Sequence, residues 1–249
     1  MKYLLSELIY KLKEQSTQID KKHQSDYNDL KNYGFLVKEN FLSKTLCEEL
    51  VLKFDNLYDQ NIYSWIDEEG SDVRLFGIEA IDEKFQVFNH ELLDNIYRKY
   101  IGKLENSFVM ANRVKFQMNN VGSGGGWHRD SMNRRQLKFI LYLTDVTDGG
   151  GCFQYIKSSH NISQKLQLNL LLKKKFGNPR YSDEEIKFLV KKEKLEISSL
   201  EGRKGTLIIA DTGGIHRGKP IENGCRYALT NYMFDSVIPK EIEELLLRR

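Results

Sequence analysis

The sequence predicts a mainly β protein with flanking helices, its strands forming an antiparallel double sheet or barrel. Three observations lead there. From residue 107 the apolar periodicity is two, as in half-buried strands. Those strands are short and are separated by turn signals such as Thr-Asp-Gly-Gly-Gly at 147–151 and Asn223-Gly224. No strand–helix–strand alternation runs through the chain, which argues against a parallel sheet. Helices at the front would then cover one sheet.

Leu4, Leu5, Leu8, Ile9 and Leu12 recur at helical spacing and predict a short helix with its apolar stripe packed inward. Residues 14–29 are polar, a second helix or a loose connection. Residues 33–37 read as a short strand. Ser43 or Thr45 caps the next helix, Thr45 forming a capping box with Glu48, and Leu46, Leu50, Val51, Phe54 and Leu57 line one face. Residues 71–88 suggest one or two strands, and 90–104 return to helical spacing through Leu92, Leu93, Ile96 and Tyr100. Phe108, Met110, Val114, Phe116 and Met118 mark a strand, followed by strands at 137–143, 152–156, 206–210 and 226–234. Between them, residues 161–198 are Lys-rich and helical, with a capping box at Ser182 and Glu185. This insertion reads equally as a lid over a site or as a solvated surface helix. No repeat, low-complexity tract or linker divides the chain, so 1–249 reads as a single domain.

Composition excludes several classes. With 249 residues, 40% hydrophobic and 29% charged, the chain suits an ordinary globular domain with a sizeable core. A net charge of +3 is no footprint for nucleic acid. Cys47, Cys152 and Cys225 form neither a CxxC motif nor a disulfide framework, which favours a reducing compartment. Glu7 and Lys11 interrupt the apolar start, and no run approaches the roughly 20 apolar residues of a membrane span. The expectation is a cytoplasmic protein with no membrane or nucleic-acid partner; oligomeric state is left open.

The stretch Gly-Ser-Gly-Gly-Gly-Trp-His-Arg-Asp at 122–130 is the candidate seat of chemistry. On a strand His128 and Asp130 would point to one face, two-thirds of a two-His-one-carboxylate iron site. Three decoys fail. His128-Arg129-Asp130 resembles a kinase catalytic loop, but position 135 is Arg where that loop needs Asn. An aspartic-protease-like loop at 207–213 occurs once, where two carboxylates must share a proton. The glycines at 122–126 could cradle phosphate, but no Lys-Ser/Thr follows. His216 changes the odds: it follows an apolar strand ending at Asp211, and Arg226 stands ten residues on, beyond Asn223-Gly224. Antiparallel strands can bring the two together, and a guanidinium can clamp a carboxylate bidentately. Three protein ligands on one face of Fe(II) leave positions for a chelating cosubstrate and O2.

These residues resemble the phytanoyl-CoA dioxygenase family of Fe(II)/2-oxoglutarate oxygenases. The likeness is carried by 127–130, by Leu-Tyr-Leu-Thr-Asp-Val at 141–146, by Gly-Gly-Cys-Phe at 150–153 with Ser158-Ser159-His160, by 206–218, and by Arg226; the segment 33–43 resembles the family's opening. The resemblance spans about 30–235 and implies a double-stranded β-helix (jelly-roll, cupin-like) core. It implies His128, Asp130 and His216 as iron ligands, Arg226 as the clamp on 2-oxoglutarate, and Fe(II), 2-oxoglutarate and O2 as cofactor and cosubstrates. Two positions depart. Lys157-Ser158-Ser159-His160 stands where relatives have Pro-Gly-Ser-His, and Gly218 where some place a Ser that helps hold the cosubstrate carboxylate. Thr230 or Tyr142 would take that task. Gln117 is expected to point inward, toward cosubstrate or substrate. His160 reads as a turn residue or a substrate contact, His23 and His90 as surface residues, and Trp127 as packing under the metal or facing substrate.

The expectation is therefore an oxygenase that hydroxylates a small molecule. Asp130 argues against halogenation, which needs its coordination position for halide. The competing readings are a non-catalytic jelly-roll binding module, or a metal enzyme that uses the same ligands without 2-oxoglutarate. Lys173, Lys174, Lys175, Arg180, Lys187, Lys191 and Lys192 would favour an anionic substrate such as a nucleotide-sugar, a sugar derivative or an acyl-CoA. Glu184, Glu185 and Glu193 among them point instead to a solvated face.

Overall fold

A computed structural model describes residues 2–174 and 177–247. Helices α1 (Lys2–Ser16) and α2 (Gln24–Tyr33) lead into strand β1 (Phe35–Lys38). Helix α3 (Lys44–Asp59) is capped by Ser43, whose hydroxyl accepts from the Leu46 amide; Thr45 lies inside the helix, so its box with Glu48 does not form. Then come β2 (Trp65–Ile66), β3 (Asp72–Phe76), α4 (Glu91–Tyr100), β4 (Asn106–Lys115), β5 (Leu137–Tyr142) and β6 (Phe153–Ile156). The chain continues through α5 (Ile162–Leu171), α6 (Asp183–Glu193), β7 (Ile197–Leu200), β8 (Leu207–Asp211), β9 (His216–Gly218), β10 (Cys225–Phe234) and α7 (Lys240–Glu243).

The strands make two antiparallel sheets, ordered β1-β8-β5-β10-β4-β3-β2 and β7-β6-β9. Period-two alternation sends each strand's side chains to opposite faces. Leu137, Phe139 and Leu141 of β5, with Val109 and Ala111 of β4, pack outward with Leu50 and Phe54 of α3 and Leu93 and Ile96 of α4. Ile140, Tyr142, Ile208, Ala210 and Ala228 point inward and meet Phe153 and Tyr155 of the smaller sheet. Both faces of the larger sheet are therefore buried, and the inward face is the one available to a site.

Several expectations are corrected. On α1 the side chains of Leu4, Leu5, Leu8, Ile9 and Leu12 are exposed, and Tyr10 and Glu14 are buried. The helix docks through polar contacts instead: Arg135 pairs with Glu7 and Glu14 and lies over the Tyr10 ring. Of the one or two strands expected over 71–88, β3 forms, and two 3-10 turns, Ile78–Ala80 and Glu83–Phe85, follow it. Strand β4 stops at Lys115, leaving Phe116 and Met118 exposed. The insertion contains two helices, keeps the Ser182–Glu185 box, and ends in β7, paired with β6. Its Leu168, Tyr181, Ile186 and Leu189 pack with Trp127, Ile156 and Ile215, so it is a packed flank of the smaller sheet. Lys175 lies outside the described residues. Among the described residues no helix is long and apolar enough to cross a membrane.

Candidate metal centre

His128 lies outside any named strand and forms an isolated bridge with His216 at the start of β9. Each amide donates to the other's carbonyl at 2.9 Å, the reciprocal pairing that sets two side chains side by side on one face. The ring centroids are 4.3 Å apart. The Asp130 amide donates to the Thr212 carbonyl at 2.9 Å, which keeps 128–130 extended and turns the carboxylate to the same side. Asp130 Oδ1 is 3.5 Å from His128 Nε2 and Oδ2 is 3.9 Å from His216 Nε2. One donor atom from each of the three falls within 4.8 Å of the others.

The hydrogen bonds decide which ring nitrogens face that point. His128 Nδ1 meets the Gly126 carbonyl at 2.8 Å and His216 Nδ1 meets the Gly214 carbonyl at 2.9 Å. A carbonyl only accepts, so each Nδ1 carries the proton and each Nε2 keeps its lone pair for a metal. Burial pushes the His216 imidazole down to about 3, so it is neutral near pH 7. Burial alone would raise the Asp130 carboxyl, but the Lys138 ammonium beside it holds it well below the usual range. Asp130 Oδ2 is buried and ion-paired with the Lys138 ammonium at 2.7 Å. Two imidazoles with their Nε2 atoms turned inward and an ionised carboxylate between them fit a divalent first-row metal.

A polar frame behind the ligands holds them in place. Arg129, 1% exposed, points away from its neighbours' face. Its Nη1 donates to the Ser159 and Gly213 carbonyls at 2.7 Å, and its Nε to the Tyr181 hydroxyl at 3.0 Å. Asp211 accepts from the amides of Gly213 and Gln136 and from the Tyr100 hydroxyl. Ser159 Oγ accepts from the Ile215 amide at 2.7 Å. At Gly214 a Cβ would stand 1.8 Å from the Tyr155 hydroxyl, so only glycine lets 213–216 pass this close.

Arg226, Tyr142 and Thr230 line the same inward cleft as the two histidines. Arg226 is 7% exposed; Nη1 donates to the Gly151 carbonyl and Nε has no partner. The Tyr142 hydroxyl donates to the Leu200 carbonyl at 2.8 Å and accepts from the Phe153 amide at 2.9 Å. Gln117 is not in this cleft. It follows the end of β4, is exposed, and lines a neighbouring outer cleft. His160 is elsewhere as well: its Nε2 bonds the Lys31 carbonyl at 3.1 Å, and it lines a separate cleft with Glu14 and Arg135. Trp127 is packed with the insertion, under the Arg217 guanidinium at 4.4 Å. His90 is exposed and caps α4 by accepting from the Leu92 amide.

Residues 30–227 match the sequence model of the phytanoyl-CoA dioxygenase (PhyH) family. The chain belongs to that family. It is therefore an Fe(II)- and 2-oxoglutarate-dependent oxygenase that uses O2, which sets aside the non-catalytic binding module and the metal enzyme without 2-oxoglutarate. Solved structures share the fold at low identity. The epimerase SnoN from nogalamycin biosynthesis, in complex with Fe3+, alpha ketoglutarate and nogalamycin RO, is 13% identical with TM-score 0.63, covering 90% of this chain and 89% of that one. HygX from Streptomyces hygroscopicus, with nickel and 2-oxoglutarate bound, is 15% identical with TM-score 0.59 and 88% of each chain covered. A prolyl hydroxylase from Trichoplax adhaerens is 16% identical with TM-score 0.55, covering 86% and 89%. No curated protein sequence matches the chain.

At Gly218, where some relatives carry Ser, a Cβ would stand 3.0 Å from Ser123, so a side chain there would need Ser123 to shift. Sequence reasoning missed Lys138 and Arg129. Lys138 alternates inward on β5 beside Tyr142, a signal the strand pattern carried. Arg129 was visible only as the middle of a decoy motif.

Proposed function

We propose that His128, Asp130 and His216 hold Fe(II), that Arg226 binds the distal carboxylate of 2-oxoglutarate, and that this oxygenase hydroxylates a small molecule. The observation that carries the reading is the pair of imidazoles with both Nδ1 protons committed to backbone carbonyls and both Nε2 atoms turned toward Asp130. Bound there, the iron supplies the redox chemistry with O2 and 2-oxoglutarate. The chain's own residues do the rest. Lys138 holds the Asp130 carboxylate, while the Gly151 carbonyl orients Arg226, whose remaining donors are left for a carboxylate. Thr230 offers a hydroxyl along that wall, whereas the Tyr142 hydroxyl, expected to share this task, is already engaged by the Leu200 carbonyl and the Phe153 amide. Phe153, Ile140 and Ala228 keep water from the cosubstrate. Asp130 fills the third protein position, so no site is left for halide and hydroxylation is favoured.

A small-molecule substrate is supported by relatives that hold nogalamycin RO or hygromycin B. The insertion is a poor candidate for its recognition: Lys173, Lys187, Lys191 and Lys192 are exposed, and Lys174 pairs with Glu185. Arg180 reaches the Gly124 and Gly125 carbonyls and bears on the loop before His128. Both sheets and the insertion frame one centre, which supports 1–249 as one catalytic unit. The buried free thiols of Cys47 and Cys152 suit a reducing, cytoplasmic setting.

The test is anaerobic titration of the iron-loaded protein with 2-oxoglutarate. Arg226→Ala should lose about 2–5 kcal/mol, tens- to thousands-fold in affinity, because a buried charge-assisted pair disappears. Arg226→Lys should fall between, keeping the charge without the planar fork. Iron affinity should hold in both. Equal 2-oxoglutarate affinities in wild type and Arg226→Ala would remove Arg226 as the clamp.

A further inference from the structure

We infer that the wall of the cleft formed by β3 and β4 binds an anionic group, a carboxylate or a phosphate, of the primary substrate, an inference that rests on Arg226 being taken by 2-oxoglutarate. One register row runs Arg74, Asn112, Ala228, Tyr142 across β3, β4, β10 and β5. It carries Arg74 and Asn112 into the inward cleft shared with His128 and His216. Arg74 gives Nε and Nη2 to Asp72, leaving Nη1 without a hydrogen bond among the described residues, and its guanidinium lies 4.7 Å from the Trp65 ring centroid. Asn112 is 2% exposed, and its Nδ2 has no partner at all.

A buried amide N–H without an acceptor is costly to keep, and a ligand acceptor removes that cost. Lys138 is the third donor on this side, its ammonium over the Tyr232 ring at 4.5 Å. Arg74, Lys138 and Arg226 line the cleft, and the carboxylates against them are those of Asp72 and Asp130, which answer two of these cations. The two charges of the iron match the two carboxylates of 2-oxoglutarate, so the loaded cleft keeps an excess positive charge. Unfilled donors and surplus positive charge together select an acceptor-rich anion.

The rest of the substrate has a place as well. Through Arg74, Ser123 and Gly124 the cleft continues outward to the exposed side chains of Trp65, Met118 and Val121. The acidic groups there are engaged: Asp67 accepts from Ser71 and from the Asp72 amide, and Asp72 from Arg74, leaving Glu69 at the exposed rim. An aromatic or apolar body behind the anionic head fits this surface.

The experiment uses the full chain loaded with Zn(II), titrated first with 2-oxoglutarate and then, with and without it, with benzoate, phenyl phosphate and neutral benzamide. The 2-oxoglutarate step reads the cosubstrate assignment by itself, so its failure is not confused with failure of the wall. Wild type should bind one of the anions at least tenfold more tightly than benzamide; which one separates carboxylate from phosphate. Asn112→Leu and Arg74→Met should each weaken that anion about tenfold and leave 2-oxoglutarate affinity unchanged. Asn112→Leu removes an N–H that bonds nothing in the fold, so its melting temperature should hold, which keeps the test sound if Arg74→Met unfolds. Binding of benzamide equal to the anions, binding of neither anion, or anion affinity unchanged in Asn112→Leu would each overturn the inference. So would a loss that appears in 2-oxoglutarate affinity instead, since the wall would then serve the cosubstrate.

Discussion

Asp130 has two tasks at once, facing the imidazoles of His128 and His216 and neutralising a buried ammonium on Lys138. Asp130→Ala should therefore abolish metal binding and turnover and also leave Lys138 uncompensated, at about 3–5 kcal/mol. Adding Lys138→Met should restore most of the melting temperature without restoring metal affinity. Thermal melts of the single and double variants beside metal titrations check this; an Asp130→Ala protein as stable as wild type would mean the ammonium is satisfied without it. His216 makes a second prediction. Burial holds it neutral down to about pH 3, whereas an unfolded imidazole takes up a proton near 6.5. Between those values the unfolded state binds the extra proton. The stability of the metal-free protein from this group is thus complete above about pH 6.5 and declines as pH falls toward 3, at up to about 1.4 kcal/mol per unit. Urea unfolding at pH 7 and pH 5 should show the loss, and His216→Leu should reduce it; an equal loss in that variant would assign the acid sensitivity elsewhere.

At the scale of elements, the centre depends on segments that do not carry ligands. Arg129 ties the 128–130 stretch to Ser159 and Gly213 from behind. Arg129→Met leaves two buried carbonyls unpaired and should cost roughly 2–5 kcal/mol. It should weaken metal binding too, because the spacing of His128 from His216 loosens. A destabilised variant with wild-type metal affinity would show that the reciprocal backbone pair alone sets that spacing. Helices α5 and α6 act by packing: Leu168, Ile186 and Leu189 close over Trp127 and Ile215, the residues just before the two histidines. Leu189→Ala should cost about 2–5 kcal/mol in thermal unfolding. Limited proteolysis of 161–198 should proceed alike with and without iron and 2-oxoglutarate, as for a packed flank; strong protection by ligands would instead make the segment a lid.

Across the whole molecule, the larger sheet is covered outside by α3 and α4 and inside by the smaller sheet, so its central strands are buried on both faces. The outward layer supplies the main apolar core, and this frees the inward layer to carry polar groups such as Arg226, Asn112, Lys138 and Thr230 beside His128 and His216. Paired with their backbone neighbours on both sides, those strands hold the side chains in a preset geometry before any ligand arrives. Helix α1 stands apart from this economy of burial, docked by Arg135 and carrying its leucines outward.

Much of this was legible in the residues alone, wherever the physics is local. Period-two alternation marked β4, short apolar runs marked β5, β6, β8 and β10, and the glycine and Asn-Gly turns marked where several of them end. The His128–Asp130 spacing put two candidate ligands on one face, and the order of His216 and Arg226 after an apolar strand supplied the rest. The remaining features needed the tertiary structure, because they depend on register and on which faces meet. Helical spacing gives α1 an apolar stripe but cannot say that the charged side docks. Alternation continues through Phe116 and Met118 in sequence, yet β10 stops pairing with β4 at Lys115, and Gln117 leaves the site. Lys138 reaches Asp130, Arg129 reaches Gly213, and a side chain at 218 strikes Ser123 only once distant strands are in place. Local periodicity chooses the element and its faces; pairing across the chain chooses what each face touches.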